Sequence, residues 1–135
     1  VDRYRDEFLA LVQERVDVLF ANEAEITSLY QVDSWEAARD QVRGHCEIAC
    51  LTRSEKGSVI VTADAEHVIP IHPHGDVVDT TGAGDLYAAG FLHGLTTGQD
   101  LERCGRLAAL AAGEVISHYG ARPETSLAEL AAGLD

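Results

Sequence analysis

An α/β fold is predicted by three features of this 135-residue chain. Short β-branched runs alternate with helical patterns in its first part, the arrangement that sets neighbouring strands parallel. Between residues 46 and 79 the apolar runs follow one another too closely for intervening helices, so a hairpin-like antiparallel portion is expected there. The pair Val77-Val78 then leads through a small-residue turn into the helix-prone Leu86-Tyr87-Ala88-Ala89-Gly90-Phe91-Leu92. Strand-to-helix joins of this kind are where open α/β sheets bind their ligands.

Taken in order, the opening Asp2-Arg3-Tyr4-Arg5-Asp6-Glu7-Phe8-Leu9-Ala10-Leu11-Val12 has the pattern of a helix, expected over 2–15. Val16-Asp17-Val18-Leu19-Phe20-Ala21 reads as a short buried strand and runs into a helix over 23–30, with another over 34–44. Strands are expected over 46–52 and 58–63, joined by a turn containing Gly57, then over 67–71 and briefly over 77–79. Helices should follow over 84–97, 101–119 and 126–134, with loops at 72–76 and 96–100. Leu107, Leu110, Ala111, Glu114, Val115 and His118 recur at three- and four-residue spacing, which marks a core-facing stripe. Ala108, Ala109, Ala111, Ala112 and Gly113 are small enough to let another element come close. The chain contains neither repeats nor low-complexity segments.

The chemistry concentrates in Asp79-Thr80-Thr81-Gly82-Ala83-Gly84-Asp85. Gly82 and Gly84 allow close approach of the backbone to a ligand and a positive φ where one is needed. The first N–H groups of the helix lack intrahelical acceptors, and the macrodipole adds partial positive charge. Together they form an anion site suited to the charge of a phosphoryl group in transfer. Asp85 would stand beside it, able to accept a proton from an attacking hydroxyl. An acidic residue in a first turn also complements the helix dipole with no chemistry involved, and that reading stays open. Two other phosphate loops are excluded by inspection. No G-x-x-x-x-G-K-[ST] occurs, and a G-x-G-x-x-G would need Gly where Tyr87 stands. A dinucleotide-binding dehydrogenase domain fails on the same missing glycine.

Asn22 and Glu25 form an N-x-x-E element at the C-terminal end of the first strand, facing the crevice of an α/β sheet. The same spacing satisfies a capping box, Asn22 as N-cap and Glu25 three residues on. Local pattern alone leaves both roles standing.

The full string from Val77 to Asp85 resembles the signature of the ribokinase-like (PfkB-type) carbohydrate and nucleoside kinases. The resemblance covers nearly the whole chain and implies the C-terminal portion of a three-layer α/β/α fold. It implies phosphoryl transfer from ATP to a primary hydroxyl, with Asp85 as base and the amides of Gly82, Ala83 and Gly84 as anion hole. Asn22 and Glu25 would by resemblance organise Mg²⁺ and the phosphates through water, since Mg²⁺ keeps much of its hydration. Thr52 and Gly57 match residues that line the nucleotide phosphates in relatives, whereas Ser54 replaces a glycine common in sugar kinases. The unit Thr52-Arg53-Ser54-Glu55-Lys56-Gly57 is thereby more similar to bacterial adenosine kinases than to ribokinases. Arg53 or Lys56 could pair with a phosphate, or serve as solvated turn charges. The small-residue helix and the turn Gly120-Ala121 would border the base pocket, with His118 against adenine or simply capping its helix. Relatives also hold a monovalent cation such as K⁺ on backbone carbonyls, to which Asp79 and Thr81 would contribute.

Composition narrows the partners. With 10 Lys and Arg against 23 Asp and Glu, the formal charge is −13, which disfavours nucleic acid and anionic membrane alike. No run approaches the ~20 apolar residues of a membrane span, and the first residues are not signal-like. Cys46, Cys50 and Cys104 are too few and irregular for a disulfide framework, and Cys46 and Cys50 should share one strand face. A reducing cytoplasm is the natural setting. His72-Pro73-His74 lacks further ligands at metal spacing and reads as a loop. The chain starts at Val1 and contains no Met, and all of its resemblance lies in the C-terminal half of a kinase. Residues 1–135 are therefore expected to be the ATP-binding and catalytic part of a longer protein, lacking the N-terminal half, its lid and most acceptor contacts. An open sheet edge would then favour self-association, a homodimer in the simplest case. The expected acceptor is a nucleoside or sugar, adenosine converted to AMP first, with ribose and fructose behind. The competing expectation is a nucleotide-binding or assembly module without catalysis.

Overall fold

The computed structural model describes residues 5–7, 17–71, 82–115 and 127–134. Of the expected first helix only residues 5–7 are described, and they are helical. The expected strand at 77–79, the loop His72-Pro73-His74, and Asp79, Thr81, His118, Gly120 and Ala121 lie outside the described residues. The chain divides after Val68 into two units, Val1–Val68 and Ile69–Asp135.

The first unit is an α/β layer. Strand β1 (Val18–Asn22) runs into helix α1 (Glu23–Tyr30), followed by α2 (Trp35–Val42) and β2 (Ile48–Thr52). A 3-10 turn (Ser54–Lys56) leads to β3 (Ser58–Val61), and β4 (Glu66–Ile69) completes a sheet of order β1-β2-β3-β4. β1 pairs parallel to β2, from Val18↔Ile48 to Asn22↔Thr52, and β2 pairs antiparallel to β3, ending at Thr52↔Ser58. This is the switch from parallel to antiparallel that close strand spacing requires. Ile26, Leu29, Tyr30, Trp35, Ala38 and Val42 pack on Ala49, Leu51, Val59 and Val61. Cys50 and Ile60, on the opposite face, are buried as well.

Helix ends follow local chemistry. Ser34 caps α2 by accepting from the Ala37 N–H, and Gly44 takes φ +85° in the turn that ends it. Strand β2 begins at Ile48, two residues later than expected, because its pairing with β1 begins there. Cys46 lies in that turn, in an isolated bridge with Arg43, so it does not share a strand face with Cys50. All three cysteines are thiols rather than disulfides. Arg43 gathers the carbonyls of Thr62 and Ala65 and the carboxylate of Glu66, tying the end of α2 to the β3–β4 turn. β4 ends at Ile69 because Pro70 has no N–H to offer the ladder.

The second unit contains α3 (Ala83–Thr96), α4 (Leu101–Val115) and α5 (Leu127–Ala132). α3 and α4 approach closely at Gly90, whose built Cβ would lie 2.8 Å from the Leu107 carbonyl oxygen, and at Gly94. Tyr87 and Phe91 from α3 and Cys104, Ala108, Leu110 and Ala111 from α4 are buried, as is the carboxylate-bearing Glu114. Buried Leu110, Ala111 and Glu114 follow the stripe read from the sequence. No helix among the described residues is long and apolar enough to cross a membrane.

Candidate functional site

At the start of α3 the backbone takes the conformation the motif needs. Gly82 has φ 78° and ψ 0°, a left-handed geometry that side-chain-bearing residues adopt at a cost of about 1–2 kcal/mol. Leu86 N–H donates to the Gly82 carbonyl at 3.0 Å, the first intrahelical bond. The N–H groups of Ala83, Gly84 and Asp85 therefore precede any intrahelical acceptor, at the positive end of a 14-residue helix. A Cβ built on Gly84 meets no described atom within 4 Å, so neither packing nor a positive φ requires glycine there. Asp85 is exposed in the same turn. The described geometry thus joins Gly82, Ala83, Gly84 and Asp85 at one helix start.

In the first unit, Asn22 and Thr52 are the last register partners of two parallel strands, at their C-terminal ends. Asn22 Oδ1 accepts from the Glu25 N–H at 2.8 Å, and Glu25 Oε1 accepts from the Asn22 N–H at 2.9 Å. The capping box is therefore present. It engages the single side-chain oxygen of Asn22 and one of the two carboxylate oxygens of Glu25, and both residues remain exposed to solvent. Among the described residues no group of three or more His, Cys, Asp or Glu could hold a metal. A divalent ion held by phosphates and its own waters fits this donor set; an all-protein cage does not.

The 52–57 turn is tightly closed. Arg53 N–H donates to the Gly57 carbonyl at 2.7 Å and Lys56 N–H to the Arg53 carbonyl at 3.0 Å. Gly57 takes φ 86°, and Ser54, standing where a glycine is common in sugar kinases, takes φ 52°. Of the two cations weighed as phosphate partners, Lys56 is exposed. Arg53 instead lies 4.4 Å from the Trp35 ring centroid, with Nη2 donating to Glu23 Oε1 at 3.3 Å. Sequence reasoning missed this contact, since 30 residues separate its charges. The chain's one tryptophan, at the start of the second of the two helical patterns between β1 and β2, was the available signal.

Comparison with known proteins agrees with the signature. The pattern of the pfkB family of carbohydrate kinases matches residues 2–127. A nucleoside kinase of Methanocaldococcus jannaschii is 36% identical over 118 residues, 87% of this chain and 38% of that protein. A probable sugar kinase protein from Rhizobium etli CFN 42 superposes at a TM-score of 0.96 with 51% identity, covering all of this chain and 42% of its own. An adenosine kinase from Sinorhizobium meliloti superposes at 0.94 with 46% identity, covering 98% of this chain and 41% of its own. The chain thus spans about two fifths of the length of these relatives. With strand order, helix start and signature all in agreement, this chain belongs to the pfkB family of carbohydrate kinases and has their ribokinase-type α/β fold.

Proposed function

We propose that residues 1–135 are the nucleotide-side, C-terminal part of a longer kinase that transfers the γ-phosphoryl group of ATP to a primary hydroxyl, with adenosine as acceptor and AMP as product. The observation that carries this reading is the start of α3. Gly82 turns the chain, Gly84 leaves a space that the described chain does not fill, and Asp85 stands exposed beside it. An unfilled glycine at a helix N-terminus is what a phosphoryl group needs in order to reach the amides.

Chemistry follows from those parts. The acceptor's hydroxymethyl oxygen attacks the γ-phosphorus, the bond to the β-phosphate oxygen breaks, and ADP leaves. Asp85 takes the hydroxyl proton. In a loose transition state that proton moves late, so the placement of Asp85 matters more than its basicity. Amides of Gly82, Ala83 and Gly84 stabilise the equatorial oxygens. Thr52 and Gly57 would line the nucleotide phosphates. When bound with ATP, Mg²⁺ neutralises phosphate charge; Glu25 would hold its waters by the carboxylate oxygen outside the capping box, and Asn22 by the remaining lone pair of Oδ1. Asp79 and Thr81 are proposed carbonyl donors to K⁺, and His118 is a proposed adenine contact. A cytoplasmic setting, and self-association at an open sheet edge, belong to the same proposal.

Adenosine is favoured by the 52–57 turn; similarity does not separate the acceptors, with 46% identity to an adenosine kinase and 51% to a probable sugar kinase. The test is ADP release by the full-length protein with Mg·ATP and, separately, adenosine, ribose and fructose. Turnover on adenosine is expected. Turnover on a sugar alone would overturn the acceptor and keep the chemistry. ATP binding without turnover on any acceptor would favour a binding module.

A further inference from the structure

The 52–57 turn and the cap of α1 are joined by a contact that strand pairing does not supply. Its functional meaning depends on the chain being part of a kinase, as proposed. The β1/β2 ladder ends at Asn22↔Thr52. One residue beyond each partner stand Glu23 and Arg53, whose ion pair at 3.3 Å continues the link past the last rung. Strand ends otherwise lack ladder bonds and open readily. The guanidinium is also seated on Trp35, the first residue of α2, which is only 6% exposed. A cation placed over an indole face is attracted by the ring, a contact made more often by Arg than by Lys.

Arg53 is fixed at its other end too. Its main chain closes the turn through Gly57 and Lys56. One residue therefore shapes the 52–57 turn with its backbone and grips α1 and α2 with its side chain. Its Nε is shielded from solvent and finds no acceptor among the described residues, so the grip consists of one ion pair and one ring.

We propose that Arg53 is a positioning residue. By gripping Glu23 and Trp35 it holds the 52–57 turn at a fixed spacing from Asn22 and Glu25. It thereby sets nucleotide affinity without touching phosphate.

The test uses the full-length protein. Arg53→Ala is expected to raise KM for Mg·ATP about tenfold while kcat stays within about twofold, the signature of lost ground-state binding. Glu23→Gln separates this from a direct phosphate contact. A grip acting through Glu23 predicts that this variant raises KM as well, and that the double variant is no worse than Arg53→Ala alone. An arginine touching phosphate predicts that removing its competing carboxylate leaves KM unchanged or lowers it, and that result would overturn the proposal. Arg53→Lys should recover only part of the loss. If Arg53→Ala does not fold, Glu23→Gln and Trp35→Phe decide, and unchanged KM in both overturns the proposal. Absence of turnover in the unaltered protein on every acceptor would contradict the kinase reading instead. The grip is then read from hydrogen exchange of the 52–57 amides. Faster exchange in Glu23→Gln would support it and unchanged exchange would overturn it.

Discussion

Replacing Gly90 by Ala puts a methyl group where α4 already lies. Its Cβ would stand 2.8 Å from the Leu107 carbonyl oxygen, 3.0 Å from Ala108 Cα and 3.1 Å from the Ala108 nitrogen. All three are backbone atoms inside a helix, so no rotamer change relieves them and the two helices must part. Overpacking of this kind costs about 1–3 kcal/mol, and three backbone contacts place it toward the upper end. Exchanging Gly for Ala within a helix returns about 1 kcal/mol. The net expectation is a loss of roughly 1–2 kcal/mol. Gly84→Ala makes the same chemical change on the same helix, where no described atom lies within 4 Å. It should be neutral or stabilising by up to about 1 kcal/mol, while cutting turnover by filling the space at the amides. Urea unfolding of the two variants beside the unaltered protein reads both values from the midpoints, provided the slopes agree. An undiminished midpoint for Gly90→Ala would refute the argument that α3 and α4 touch through their backbones.

Asn22→Ala should lower stability by about 1 kcal/mol through loss of the cap, whereas Asn22→Asp keeps the cap and adds a charge. Denaturation midpoints and KM for Mg·ATP measured on both should therefore part, with Asn22→Asp stable but weaker for nucleotide. Ser54→Gly removes a side chain from φ 52° and should raise the unfolding free energy, read from the denaturant midpoint, by roughly 0.5–1 kcal/mol, the relief of left-handed strain less the added chain entropy. Tyr30 is pushed from 10.0 up to about 12, first by burial and then by Cys46. The folded state holds this proton more tightly, so its contribution is complete below pH 10 and is lost as pH rises toward 12. Stability followed over that window should fall in the unaltered protein and more shallowly in Tyr30→Phe, which also gives up the 2.8 Å bond between Tyr30 Oη and His45 Nδ1.

Local signals carried much of this fold. Asn22 and Glu25 gave both the helix start and its box, because capping is settled within four residues. Short apolar runs gave β1 to β3, and the parallel-to-antiparallel switch followed from the spacing between them. Boundaries were less legible where a partner sets them. Cys46 has the composition of a strand residue, yet β1 offers β2 no pairing before Ile48. The start of α3 was legible because Gly82 answers a backbone demand that residue type reveals. Arg53 was not, because a phosphate-facing and a protein-facing arginine look alike in sequence. Only the placement of Glu23 and Trp35 distinguishes them. Glu114 fell on the expected stripe, though a carboxylate buried at 0% exposure is not what its type leads one to expect.

The most direct test of the central claim is ADP formation by full-length Asp85→Asn beside the unaltered protein, with Mg·ATP affinity measured on both. The account predicts turnover reduced by about 10²–10⁴, the usual cost of losing a general base, with nucleotide affinity little changed. Turnover within a few-fold of the unaltered protein would contradict the assignment of Asp85 as the base and, with it, the reading of α3 as a phosphotransfer centre.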